Sequence, residues 1–147
     1  MKVPLPEARP GLVFRYEYVW KRQALAGRTT AEKDRPACIV LAVTGRKGEQ
    51  RVLIVPITTK SPPEGVEAVE IPLSVKRHLG LDDDRRSWII LSEANIDGWP
   101  SPDMRPIPGR PGRFAYGLLP LRMVTDIRRI ILECLEAKSL GLVPRDS

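Results

Sequence analysis

Arg35-Pro36-Ala37-Cys38-Ile39-Val40-Leu41-Ala42-Val43 and Arg51-Val52-Leu53-Ile54-Val55-Pro56-Ile57-Thr58-Thr59 flank a turn-like stretch, Thr44-Gly45-Arg46-Lys47-Gly48-Glu49. Residues 36–43 are a nearly continuous apolar run rich in β-branched side chains, as expected of a buried strand. Residues 51–57 repeat that character, and the glycines between them supply hairpin-turn chemistry. The stretch therefore predicts an antiparallel hairpin at the centre of a β protein. Pairing of this kind brings the start of the first strand to the end of the second, so Arg35 approaches Thr58 and Thr59 at one end of the sheet.

The flanking sequence extends the same reading. Pro10-Gly11 opens Leu12 to Trp20, where residues 12, 14, 16 and 18 share one face at period two. Residues 21–34 have no apolar periodicity and predict a long mobile loop bearing Lys21, Arg22, Arg28 and Lys33, flanked by Arg15. Val66 to Ile71 alternates as a half-exposed strand should. Leu73 to Leu79 predicts a short helix entered by Pro72 and stopped by Gly80. Trp88 to Leu91 and Phe114 to Leu118 predict two more short strands. Between them, residues 98–113 hold prolines 100, 102, 106, 108 and 111 and predict an excursion without regular structure. A longer helix is expected over 120–138, with Val124, Ile127, Ile131 and Cys134 on one stripe. About five strands and one packing helix predict a mainly β fold with α, a strongly bent antiparallel sheet closing as a small, partly open barrel over about 9–118. No linker or repeat divides residues 1–147, which predict a single domain.

Composition narrows the class. The 147 residues are 42% apolar and 29% charged, enough for a core that removes roughly 68–70% of the unfolded chain's surface from water. No uncharged apolar run approaches the ~18 residues of a membrane span. Met1-Lys2-Val3-Pro4-Leu5-Pro6-Glu7 lacks the apolar stretch of a signal peptide. Cys38 and Cys134 have neither disulfide-framework nor metal-knuckle spacing, and predict two buried thiols in a reducing cytoplasm. Charge is uneven: residues 1–60 carry 12 basic and 5 acidic groups, residues 61–147 carry 12 and 13. That asymmetry favours an anionic partner for the first part, nucleic acid foremost; a solvated basic face is the plainer alternative.

Most familiar catalytic patterns are missing. His78 is the single histidine, which rules out a histidine pair or a Ser-His-Asp triad within one chain. Glycine-rich phosphate loops of the Gly-x-x-x-x-Gly-Lys-Ser/Thr and Gly-x-Gly-x-x-Gly kinds do not occur. No helix-turn-helix or zinc-finger pattern argues for reading duplex DNA. Asp82-Asp83-Asp84 is followed by Arg85-Arg86 and reads as a solvated turn. What remains is Arg35 beside Thr58 and Thr59, a guanidinium next to hydroxyl donors, suited to gripping a phosphate.

Pro10-Gly11, Arg35-Pro36-Ala37-x-x-Val40-Leu41, Val55-Pro56-Ile57-Thr58-Thr59 and the closing Gly117-Leu118-Leu119-Pro120 resemble the MazF/PemK family of toxin endoribonucleases. The resemblance spans roughly residues 9–135. It implies an SH3-like barrel, a homodimer, cofactor-free and metal-independent cleavage of single-stranded RNA, and neutralisation by an acidic antitoxin protein. The family's arginine falls on Arg35 and its threonine on Thr58, with Thr59 adjacent. Lys21, Arg22, Arg28, Lys33 and Lys60 are then the expected RNA-binding cations. Departures are a longer loop ending Glu32-Lys33-Asp34, Ala94-Asn95 where the family has Asp-Gln, and an expanded 72–113 region. The cleavage so implied uses the RNA's own 2′-OH as nucleophile and leaves a 2′,3′-cyclic phosphate. Glu32, Asp34 and His78 are general-base candidates by chemistry alone. The rival reading is an SH3-like nucleic-acid- or protein-binding module without chemistry.

Overall fold

The structure is a computed structural model and describes residues 5–31 and 33–145. It is mainly β. The central hairpin is β2 (Arg35–Thr44) and β3 (Gln50–Thr58), paired from Thr44↔Gln50 to Ala37↔Pro56. Its register shifts between Ile39 and Leu41, leaving Val40 as the extra residue of a bulge. Val40 and Leu41 consequently both join one core, where strict alternation would have turned Leu41 away.

β2 pairs on its other side with β1 (Leu12–Tyr16), and β1 pairs with β7 (Ala115–Leu118). Along its second edge β3 takes two partners. Residues 50–54 pair with β6 (Glu93–Trp99), and residues 57–58 pair with β5 (Trp88–Ile90), which continues to β4 (Ala68–Glu70). Pro56 falls between the two ladders, where its missing N–H costs no rung. β6 is joined in parallel by β8 (Gly141–Pro144); the other strand pairs are antiparallel. The result is a forked sheet ordered β4-β5-β3-β2-β1-β7. Among the described residues no ladder joins β7 back to β4, so hydrogen bonding does not close the expected barrel.

Each face of the sheet carries a core. Val13, Cys38, Val55, Ile57 and Ile89 pack beneath α3 (Leu121–Glu136), whose Ile127 and Ile131 are buried against them. Phe14, Tyr16, Tyr18, Ile39 and Ile54 form the second core, closed by Met104 from the proline-rich segment. That segment is thus seated on the sheet, bridging Tyr16↔Met104. Gly11, at φ +93°, lets the start of β1 meet α3: a Cβ there would lie 2.5 Å from Val124 Cγ2.

Several expectations need correction. The first strand stops at Tyr16 instead of Trp20. Residues 21–34 are not wholly loop, since Lys21–Leu25 form α1 with Gln23 buried beneath it. β6 and β8 lie where no strand was expected. Cys38 is buried, whereas Cys134 is only half-buried. α2 (Leu73–Leu79) has its expected bounds, with Gly80 in the left-handed conformation at φ 73°. Among the described residues no helix is long and apolar enough to cross a membrane.

Candidate functional site

Four strand ends meet at one end of the sheet: the ends of β1 and β3 and the starts of β2 and β7. Arg35 opens β2 and pairs with Tyr16 of β1. Continuing the β2–β3 register two residues beyond Ala37↔Pro56 sets Arg35 across from Thr58, as the hairpin predicts.

Side-chain direction then divides the site in two. Partners in an antiparallel pair share a face, and successive residues alternate. Arg35 lies on the face of Tyr16, and its guanidinium stands 5.0 Å over the ring of Trp20. Arg22 of α1 stands 5.2 Å over the same ring, which meets Tyr18 edge-on at 5.3 Å. The neighbouring pair, Arg15↔Pro36, belongs to the other face. On that side a cavity of about 350 Å3 is lined by Arg15, Pro36, Ile57, Ser87 and Tyr116, and also by Thr58 and Thr59, the last residue of β3 and the one after it, where the alternation of the ladder ends. The guanidinium in the threonine cavity is therefore Arg15, and Arg35 sits beside it with its head group on Trp20.

Arg15 is held firmly. Its Nε donates to Asp34 Oδ2 at 2.6 Å, Nη2 to the Asp34 carbonyl at 3.2 Å, and Nη1 to the Tyr116 hydroxyl at 3.3 Å. Burial disfavours the Arg15 charge, but these bonds outweigh it and raise its pKa above the ordinary value. Burial likewise pushes the Asp34 carboxyl up, and the Arg15 hydrogen bond and charge more than reverse this, holding it below its ordinary value. Asp34, a general-base candidate, is thus an anion committed to Arg15. His78 is exposed on α2 and is not among the residues lining the cavity. Glu32 lies outside the described residues.

The segment that carries Trp20 is fixed from β6. Asn95, fully buried, accepts from Val19 N at 3.0 Å and donates to the Val19 carbonyl at 2.7 Å. Glu93 Oε1 accepts from the Tyr18 hydroxyl at 3.1 Å and from Lys21 N at 2.8 Å. The expected RNA-contacting side chains Lys21, Arg22, Arg28, Lys33 and Lys60 are all exposed, the first two on α1. Asp82, Asp83 and Asp84 are exposed too, and Asp83 accepts from Arg77 at 3.2 Å.

Sequence reasoning passed over Arg15, Ser87 and Tyr116 as cavity residues. A charged residue alternating with Phe14 and Tyr16 was the available signal for Arg15, since it had to face away from the aromatic side. Ser87 and Tyr116 converge only through β5 and β7 and carry no local signal. Compared with family models, with curated proteins and with solved structures, the chain matches none.

Proposed function

We propose that the chain is a toxin-like endoribonuclease that cleaves single-stranded RNA at this end of the sheet. The observation that carries the reading is the convergence of Arg35, Arg15, Thr58 and Thr59 on one sheet end in the basic part of the chain. The RNA's 2′-OH attacks the adjacent phosphorus, giving a 2′,3′-cyclic phosphate and a free 5′-OH. Such a nucleophile is already positioned, so the reaction needs no metal. Arginine supplies the permanent charge that the phosphorane oxygens require, and Thr58 or Thr59 donates a hydrogen bond to a non-bridging oxygen. The reading also implies a second copy of the chain, an acidic antitoxin protein and the cytoplasm, where RNA is met.

Incubation with unstructured RNA in EDTA tests it. The expected products end in cyclic phosphate. Arg35→Ala should abolish cleavage in a folded protein, and Thr58→Val should slow it on the order of 100-fold, the ~3 kcal/mol of a lost oxyanion donor. Uncleaved RNA that is nonetheless bound favours the non-catalytic module, a reading to which the Arg15–Asp34 ion pair lends support by offsetting the Arg15 charge.

A further inference from the structure

We propose that Arg15, Thr58 and Thr59 form a phosphate site in the sheet-end cavity, and that Asp34 occupies its guanidinium as a built-in competitor until a phosphate displaces it. The inference rests on the reading of this sheet end as an RNA site and names the group that grips the phosphate there.

Three observations carry it. First, the cavity of about 350 Å3 equals the liquid share of about twelve water molecules, room for a phosphate and an attached sugar. Its lining residues include Arg15 and the hydroxyl-bearing Thr58, Thr59, Ser87 and Tyr116, residue types that donate to an oxyanion. Second, Arg15 is only partly committed. Three of its five N–H groups donate to Asp34 and Tyr116, which leaves one on each terminal nitrogen among the described residues. Third, Asp34 is placed as a substitute anion. Its side chain keeps 37% of its exposure and that of Arg15 21%, so the pair is wet enough to exchange. A phosphate that offers two oxygens to the guanidinium fork replaces the Asp34 contacts, one to Oδ2 and one to the backbone carbonyl, with two charge-assisted bonds to one anion.

Asp82 is the only carboxylate on the cavity lining among the described residues. A bare anion meets it as a like charge, whereas a ribose presents hydroxyls that donate to it. The ligand class is therefore a ribonucleotide phosphate in preference to a free inorganic ion.

The test uses the full chain with uridine 3′-monophosphate and inorganic phosphate as probes, followed by titration calorimetry and amide chemical shifts. The nucleotide should bind more tightly than inorganic phosphate. Asp34→Asn should bind both about 10-fold more tightly than the unaltered protein, because the competing negative charge is gone. Arg15→Ala should lose binding both alone and on the Asp34→Asn background. Should Arg15→Ala fail to fold, Arg15→Lys keeps a cation without the fork and should bind about 5-fold more weakly. Unchanged or weaker binding in folded Asp34→Asn, or undiminished binding in Arg15→Ala or Arg15→Lys, overturns the proposal. RNA cleavage is scored separately. Phosphate binding that follows this pattern without cleavage removes the ribonuclease reading alone, and cleavage without the pattern removes the Asp34 competition alone.

Discussion

Arg15 and Arg35 stand one rung apart, Arg15↔Pro36 beside Tyr16↔Arg35, yet period two sends them to opposite faces with different company. One is paired with a carboxylate and the other covers an indole. The same alternation buries one of the two thiols. Cys38 faces inward from β2, and burial pushes its pKa up to about 12, against the partial relief of a backbone hydrogen bond from Gly11. At pH 8 its thiolate is then about one part in ten thousand, and thiolate is the reactive form. Cys134 is half-buried in a groove beside Glu67 and Ser139. A disulfide reagent at pH 8 should therefore titrate one thiol in the native protein and the second only after unfolding in guanidinium. Two thiols reacting rapidly in the native state would contradict the packing of β2. At this scale the hairpin already placed Arg35 near Thr58 and Thr59. The commitment of Arg15 to Asp34 was not readable, because it depends on a loop returning to β1 over 19 positions.

Among the elements, the hairpin, α2 and α3 follow from patterns the chain displays openly: apolar runs, a proline entry, a glycine stop and an apolar helical stripe. β6 follows from none of these. Its Asn95 and Asp97 are buried polar side chains alternating with Ala94 and Ile96, so the face that the pattern assigns to solvent is the one turned inward. They are buried because they are satisfied. Asp97 accepts from the Tyr16 hydroxyl and from Ser101, both at 2.7 Å, and Asn95 clamps Val19. β8 hides for another reason: it is four residues long and pairs in parallel with β6 only after the chain has passed through α3. Just beyond β8, Arg145 donates to the Tyr16 hydroxyl, the Glu17 carbonyl, Asn95 and Asp103, with its side chain 5% exposed. Arg145→Ala should leave that network with orphaned acceptors and an uncompensated carboxylate. The expected cost is about 3 kcal/mol, the low end for breaking a buried ion pair. It should be read as a lower urea midpoint at unchanged slope. A loss below about 1 kcal/mol would place the network among ordinary surface contacts.

The whole molecule combines a two-faced sheet, whose cores hold the strand ends in register, with a charge excess confined to residues 1–60. Lys21, Arg22, Arg28, Lys33 and Lys60 all come from that portion and all stay exposed, although α1 orders the first two. Exposed cations contribute to RNA affinity mainly by releasing counterions, a contribution that falls with salt in a countable way. For single-stranded RNA the logarithm of affinity should fall linearly with the logarithm of salt, by about 0.7 for each phosphate neutralised. Lys21→Gln with Arg22→Gln should flatten that slope by about 1.4 if both contact phosphate. The double variant also removes the Arg22 contribution at Trp20 while leaving Arg35 on the ring, so melting temperature should change little and separate binding from folding. Fluorescence anisotropy of a labelled, unstructured RNA between about 50 and 200 mM salt gives the slopes directly. A salt-independent affinity, or a slope the double variant leaves unaltered, would mean that the basic portion is a solvated face and that RNA, if bound, is held by the sheet end alone.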